Sequence, residues 1–172
     1  SNTEESFQFL VGKIKEICKI FFDKEIVTWS FKDDWESTCA NLLVKQNDNT
    51  IMNHFNSQIE PFLLEKYKDK ILIIMHHPTE DSPLAKQISN LFSARCEVYI
   101  NQMEIMNAYV EQNDPNIQRK AFEQQNFVDE DYLTALSCGL PNCIGIGIGI
   151  ERLQMSILNL TSIKDVILFP VS

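Results

Sequence analysis

A glycine-rich stretch near the carboxyl end of the chain has the residue types expected of a nucleotide site. Isoleucine alternates there with Gly145, Gly147 and Gly149, and Glu151 and Arg152 follow directly. A period of two predicts a strand with one apolar face and one face without side chains, against which a flat ligand can lie. An arginine at the start of the next helix is suited to binding phosphate. The stretch therefore suggests a nucleotide base on the glycines and phosphate at Arg152.

The same pattern also fits a glycine-rich core strand packed under a helix, followed by an ordinary surface arginine. It is not the dinucleotide-binding fingerprint. Gly145, Gly147 and Gly149 lie on alternate residues, whereas that motif places its third glycine three residues after the second. Spacing alone leaves both interpretations open.

Three glutamates form the second candidate group. Glu97, Glu104 and Glu111 lie seven residues apart in two predicted strands with apolar neighbours. A carboxylate at an inward position of a strand is costly unless it has a partner. Mg²⁺ prefers carboxylate oxygens and often binds together with nucleotide phosphates, which makes it the natural partner. The alternative is that one or more of the three face solvent, as half of a strand's residues do.

Other polar residues give weaker signals. Arg95, at the start of a predicted strand, is placed to bind phosphate in the same way as Arg152. His76 and His77 have no acid or serine at a usable spacing, which favours a simple loop role. Three cysteines in apolar context are expected to be buried packing residues rather than nucleophiles: Cys96, Cys138 and Cys143.

The composition is that of an ordinary globular protein. The 172 residues are 44% hydrophobic and 23% charged, enough for one domain with a core. A net charge of −9 argues against a broad basic face for nucleic acid. Five cysteines without a CxxC pair and three histidines make neither a zinc site nor a disulfide framework. With no secretory leader and no apolar run of membrane-spanning length, we expect a cytoplasmic protein that does not enter a membrane.

Hydrophobic periodicity predicts an α+β fold in which helices flank an antiparallel β-sheet. Asn101 and Gln102 are expected to form a hairpin turn, and Asp114 with Pro115 to start a helix. Residues 1–69 are predicted to be a helical N-terminal layer of the same domain as the core at 70–172. The predicted helices are 3–22, 34–45, 49–67, 115–125 and 129–137, and the predicted strands are 25–31, 70–76, 95–100, 104–111 and the glycine strand, before a last helix.

Several segments resemble the class II lysyl-tRNA synthetase family. Gly139-Leu140-Pro141, the glycine strand and Gly149-Ile150-Glu151-Arg152 are together similar to motif 3 of class II aminoacyl-tRNA synthetases. The run from Ile163 to Pro170 resembles the carboxyl end of the lysyl enzymes. The resemblance begins at about Ile71. Its other segments are Ser82-Pro83-Leu84-Ala85-Lys86, Arg95-Cys96-Glu97, Glu104 to Pro115 and Asp129 to Leu136.

The resemblance implies a partial class II catalytic fold that uses ATP and Mg²⁺ to activate lysine as lysyl-adenylate for transfer to tRNA. Glu97 and Glu104 would be the metal ligands that bridge the ATP phosphates. Arg152, the implied catalytic residue, would bind the γ-phosphate, and Gly149 would lie against the adenine and ribose.

The resemblance also implies a pocket for the amino acid. Glu111 would bind the ε-ammonium group of lysine. Asn107 and Tyr109 would line this pocket, and Gly145 and Gly147 would form its floor.

Motifs 1 and 2 and an anticodon-binding domain are not recognisable in the chain. The resemblance therefore implies a carboxyl-terminal part that makes little or no adenylate alone. It would act as a homodimer or with an N-terminal half, and would contact tRNA only through those other parts. The glycine strand would be central in the complete sheet, so that the isolated chain exposes a strand edge.

Two alternatives remain open at this point. One is the elongation factor P lysine ligase, a related enzyme that lysylates a protein, which Cys143 and the Glu97-Val98-Tyr99 segment resemble. The other is a non-catalytic relative that binds ATP, lysine or a partner synthetase chain. Gly147, Thr134-Ala135-Leu136 and the segment from Asp165 to Pro170 resemble the synthetase more closely.

Overall fold

The computed structural model of the chain describes residues 2–43 and 50–169. The predicted ends at Lys45 and Asn49 of two helices lie outside the described residues. A π-helical turn lies at Phe55–Ile59. The helices are α1 (Thr3–Phe21), α2 (Trp35–Leu42), α3 (Ile51–His54), α4 (Glu60–Lys66), α5 (Pro115–Gln124), α6 (Glu130–Ser137) and α7 (Ile150–Leu158), and the strands are β1 (Ile26–Ser30), β2 (Ile71–Met75), β3 (Arg95–Ile100), β4 (Met103–Val110) and β5 (Ile144–Ile148).

The five strands form one sheet in the order β1-β2-β3-β4-β5. β1 and β2 are parallel, and every other neighbouring pair is antiparallel. This confirms the predicted α+β fold with a largely antiparallel sheet. The glycine strand β5 has one neighbour, β4, and forms an edge of the sheet, as the expectation of an exposed edge requires.

Helix α1 covers one face of the sheet. Its fully buried Phe7, Leu10 and Ile14 recur at helical spacing and pack on the core with the apolar side chains of β3 and β4. Burial of each such side chain contributes about 1.5–3 kcal/mol to folding. The isoleucines of β5 also pack on this cluster, so its glycines face the opposite side.

The helical segment 51–66 and α2 cover part of that opposite side. They bury a second apolar cluster over β1, β2 and the end of β3, and Tyr99 is the member that β3 contributes. Beyond Tyr99, the same face of the sheet continues across the rest of β3, across β4 and over the glycines of β5. This half, which the helical segment 51–66 and α2 leave uncovered, is named the open face. No helix within residues 2–43 and 50–169 is both long and apolar enough to span a membrane.

A β-bulge in β4 decides which residues reach the open face. Val98 pairs with Met106 but Tyr99 pairs with Glu104, so Ile105 is an extra residue on β4. Ile105 and Met106 are both buried in the cluster under α1. Glu104 therefore lies on the open face together with Asn107, although the two are three positions apart, an odd number. The hairpin at Asn101 and Gln102 forms as predicted, with left-handed φ angles of 51° and 65°.

Candidate active site

Backbone register places candidate residues in rows across the open face. Glu97 lies beside Asn107, and Asn107 beside Gly147. In the next row, Tyr109 lies beside Gly145. Because side chains alternate along a strand, these residues all belong to one face. The glycines leave this end of the face free of side chains.

Arg152 and Glu104 meet at one end of the open face. Arg152 Nη1 donates to the Glu104 carbonyl oxygen at 3.0 Å and lies 3.4 Å from Glu104 Oε2. Gly149 lies directly before α7, and a Cβ built there would be in ordinary contact with the Arg152 Cβ, at 3.7 Å. A cavity of about 390 Å³ is lined by residues that include Glu104, Gly147, Gly149, Arg152 and Ile163. Since the Arg152 side chain is 53% exposed, its ion pair is weak, about 0–1 kcal/mol, and it can turn to an incoming anion.

The Glu97 carboxylate is held at both oxygens. Arg95 Nη2 donates to its Oε1 at 2.5 Å, and the Tyr99 hydroxyl donates to its Oε2 at 2.9 Å. Burial raises the pKa of Glu97, while the Arg95 charge and the Tyr99 hydrogen bond act to lower it. The side chain is 13% exposed, so this carboxylate sits in a fixed orientation at the edge of the open face.

Arg95 positions other site residues. Besides Glu97, its guanidinium donates to Asn107 Oδ1 at 3.1 Å and to the Asp81 carbonyl oxygen at 2.8 Å. All three of its nitrogens are thus engaged within the protein. The sequence-based interpretation of Arg95 as a phosphate ligand does not fit this arrangement, in which Arg152 is the more available arginine.

His76 and His77 are both buried. His77 is buried, and its Nε2 lies 3.8 Å from Glu97 Oε2. Burial, with the charge of Arg95, lowers the pKa of His77 to about 3, so the ring is neutral. The acid that sequence spacing failed to supply comes from the neighbouring strand. His76 has a left-handed φ of 58°, and its Nδ1 lies 2.9 Å from Ser30 Oγ.

Glu111 lies at the other end of the open face. Its carboxylate rests on the bare face of Gly145, where a Cβ would overlap Glu111 Oε1 and lie 3.3 Å from Cδ. Burial raises the pKa of Glu111. Within residues 2–43 and 50–169, no side chain forms a hydrogen bond or ion pair with this carboxylate. It borders a cavity of about 480 Å³, together with Leu84, Tyr109, Tyr132, Leu136 and Cys143 among others.

A third cavity shares lining residues with each of the other two. It measures about 180 Å³ and is lined by Asp81, Ser82, Arg95, Asn107 and Tyr109 among others. Asn107 also lines the Arg152 cavity, and Tyr109 also lines the Glu111 cavity. The three cavities thus share lining residues along the open face from Arg152 to Glu111, and together they are called the groove.

The three glutamates do not surround a single point. Across the described part of the chain, no group of three or more His, Cys, Asp or Glu side chains could hold a metal ion. Glu97 and Glu104 remain as a possible pair, and Glu111 lies apart on Gly145. The metal ligands that the resemblance implies, Glu97 and Glu104, are therefore to be considered without Glu111.

The cysteines follow the expectation only in part. Cys96 is buried, and burial raises the pKa of its thiol to about 12. Cys138 is exposed, because it caps the end of α6 beside Gly139. Cys143 is half-buried on the wall of the Glu111 cavity.

Some lining residues carried no signal of their own in the sequence. Tyr132 and Leu136 reach the Glu111 cavity from α6, and Ile163 reaches the Arg152 cavity from the turn after α7. The α6 side chains could have been anticipated only from the cap at Asp129, whose side chain accepts from the Tyr132 amide at 2.9 Å.

The chain is similar in sequence to a family and to several curated proteins. The model of the family described as tRNA synthetases class II (D, K and N) matches residues 2–172. This match includes residues 2–70, which precede the segments that resemble the lysyl-tRNA synthetases.

The similar curated proteins include several that carry the name lysine–tRNA ligase. The protein of Mycoplasma pneumoniae is 41% identical over 180 residues, covering 94% of this chain and 37% of the relative. That of Lactococcus lactis subsp. cremoris (strain MG1363) is 38% identical over 178 residues, covering 92% and 36%. That of Mycoplasma genitalium is 38% identical over 180 residues, covering 94% and 35%. The chain thus spans about a third of the length of these relatives.

Proposed function

We propose, on the premise that this chain belongs to the family of tRNA synthetases class II (D, K and N), that its open face binds lysine and Mg²⁺-ATP for lysine activation. The chain is a lysyl-tRNA ligase-like class II synthetase domain. The proposed reaction is formation of lysyl-adenylate followed by transfer of lysine to tRNA, carried out with other parts of a complete enzyme.

The observation that carries the proposal is the state of Glu111. A half-buried carboxylate is costly without a partner, and none of the described residues supplies one. A lysine ε-ammonium would supply the missing charge through a charge-assisted hydrogen bond. The apolar and aromatic walls from Leu84, Tyr109 and Tyr132 suit the methylene stem of lysine. The groove then directs the rest of the amino acid toward Asn107 and the Arg152 end.

The Arg152 end fits Mg²⁺-ATP by its donor set. Glu97 and Glu104 offer the carboxylate oxygens that Mg²⁺ prefers, and Arg152 offers a half-exposed guanidinium for the γ-phosphate. A Cβ at Gly147 would meet only the Asn107 carbonyl oxygen, at 3.6 Å, so this part of the floor is open. ATP would supply the phosphoryl group that activates the lysine carboxylate. The protein's own contribution is to orient the two substrates and to balance their charges.

The acceptor of lysine distinguishes the first alternative. The relatives above are named for tRNA, which favours tRNA over a protein substrate such as elongation factor P. Transfer of lysine to protein rather than to tRNA, by an enzyme containing this chain, would reverse that choice.

Association with a further strand is also part of the proposal. The outer edge of β5 presents backbone groups that another strand could pair with, from a second copy or from another part of a complete enzyme. Sedimentation of the chain at high concentration is expected to show self-association. A clean monomer would count against this element.

Calorimetry tests the binding proposal. Lysine is expected to bind the chain with measurable heat, and Glu111→Gln should weaken that binding by about 10-fold or more, the effect of one hydrogen bond between charged groups. Glu123→Gln, on exposed α5, is the matched control and should bind lysine normally. If ATP, Mg²⁺ and lysine all produce no heat, a non-catalytic role in binding a partner chain is favoured instead. Lysine-dependent ATP–pyrophosphate exchange by the isolated chain is expected to be weak or absent.

A further inference from the structure

We infer that Tyr99 is a positioning residue that sets the orientation of Glu97 through its hydroxyl, which also lies beside Glu60. The inference deepens the proposed function, since it takes Glu97 as a ligand of nucleotide-bound Mg²⁺. It also shows that Glu60, in the helical segment 51–66, reaches the same hydroxyl, although the sequence presents that segment only as a peripheral layer.

The Tyr99 hydroxyl lies between two carboxylates. Its oxygen is 2.9 Å from Glu60 Oε1 and 2.9 Å from Glu97 Oε2. The residue is 7% exposed, and its ring packs in the apolar cluster with Ile59 and Leu63 of the helical segment. The ring therefore fixes where the hydroxyl sits, and the hydroxyl fixes where Glu97 Oε2 sits.

Local helix geometry brings Glu60 to this position. The Glu60 amide donates to the Phe55 carbonyl oxygen, five residues back, at the end of the π-helical turn. Pro61 follows as the second residue of α4 and has no N–H to donate. Single π-helical turns are rare and occur often at functional sites. Here the turn precedes the one residue of the segment whose side chain hydrogen-bonds to the Tyr99 hydroxyl.

Glu97 depends on this hydroxyl because, among the described residues, its Oε2 atom has no second hydrogen-bond partner. Oε1 is held by Arg95 at 2.5 Å. Among residues 2–43 and 50–169, Tyr99 is the hydrogen-bond partner of Oε2, since His77 Nε2 lies 3.8 Å away, beyond hydrogen-bond distance. Without the Tyr99 hydroxyl, the carboxylate would keep one contact and could rotate about it. Partners that orient a metal ligand typically change metal affinity by about 10- to 100-fold when removed.

The single proton of the Tyr99 hydroxyl predicts different results for variants of Tyr99 and of Glu60. A tyrosine hydroxyl has one proton and donates to one acceptor at a time, so Glu60 and Glu97 compete for it. In Glu60→Gln, the new amide can donate to the Tyr99 oxygen and leave the hydroxyl proton to Glu97. Glu60→Gln is therefore expected to hold Glu97 as well as the wild type does, and Tyr99→Phe is expected to release it.

The test combines a ligand-free crystal structure with Mg²⁺-ATP calorimetry on the same variants. In Tyr99→Phe, Glu97 should adopt a new or mixed orientation, and the Kd for Mg²⁺-ATP should rise by about 10-fold or more while ATP binding without Mg²⁺ changes little. Glu60→Gln should match the wild type in both measurements. An unmoved Glu97, or an unchanged Mg²⁺-ATP affinity in Tyr99→Phe, would overturn the inference.

The two ideas fail in distinguishable ways. If the wild-type chain binds no Mg²⁺-ATP, the nucleotide part of the proposed function fails, and the position of Glu97 in Tyr99→Phe still decides whether Tyr99 positions it. If the wild type binds Mg²⁺-ATP and Tyr99→Phe binds it equally well, the proposed function stands and the positioning role is wrong. Unfolding of each variant in urea verifies that the fold is intact.

Discussion

Replacing Gly145 by alanine should separate the function of the glycine strand from its contribution to stability. The new Cβ would overlap Glu111 Oε1, so the carboxylate has to move by roughly 1 Å to reach ordinary contact. It is the end of a flexible side chain, which means that the backbone can stay in place. The expected strain is that of one off-rotamer torsion, about 0.5–1.5 kcal/mol. Gly→Ala offsets part of this by restricting the unfolded chain, by about 0.4–1 kcal/mol.

Lysine affinity should respond far more strongly than stability. If Glu111 can no longer meet the ε-ammonium group, the loss is that of a charged hydrogen bond, about 1.5–3 kcal/mol. This corresponds to roughly 10- to 150-fold weaker binding. Calorimetry with lysine measures this loss, and urea unfolding measures stability. Mg²⁺-ATP binding should change little, because the Arg152 cavity does not include Gly145.

Two controls make the result interpretable. Gly12→Ala lies in α1, where an added Cβ meets nothing within 4 Å, and it should leave lysine affinity unchanged. In the Glu111→Gln background, Gly145→Ala should add little further loss, because both changes remove the same contact. Wild-type lysine affinity in Gly145→Ala would refute the reasoning that Gly145 exists to seat Glu111. Full additivity with Glu111→Gln would refute it as well.

Three further outcomes are expected. Arg152→Ala should weaken Mg²⁺-ATP binding about tenfold or more in calorimetry, and Arg152→Lys should recover only part of it, because lysine lacks the planar fork of donors; full recovery would argue against a fork-like phosphate contact. Because the pKa of His77 is lowered to about 3 from 6.5, the folded protein binds fewer protons than the unfolded chain between these values. The free energy of unfolding should thus fall as pH drops through that window, by up to about 5 kcal/mol. Urea unfolding at a series of pH values should show a flatter fall in His77→Leu. An equally steep fall in the variant would assign the pH dependence to other groups. A thiol reagent should label exposed Cys138 first and half-buried Cys143 next, and lysine should slow only the second reaction; no protection of Cys143 would place lysine elsewhere.

Much of the secondary structure follows from local pattern. The apolar spacing predicted α1 to within a residue of its observed end, and the cap at Asp114 with Pro115 predicted the start of α5. These signals lie within a few residues of the structure that they specify, so one chain is enough to interpret them. The bare face of β5 is local in the same sense, because an alternation of isoleucine and glycine can produce only one apolar side.

The contacts that turn these elements into a candidate site were decided by the tertiary structure. Glu104 and Glu111 are seven positions apart. Because this spacing is odd, a regular strand would place their side chains on opposite faces. The bulge at Ile105 restores them to one face, and nothing in the local sequence announces it. The acid beside His77, the engaged nitrogens of Arg95 and the fit of Glu111 on Gly145 likewise join residues that are distant along the chain. Spacing determines on which side of its own element a residue lies, whereas sheet register and packing determine what it meets there.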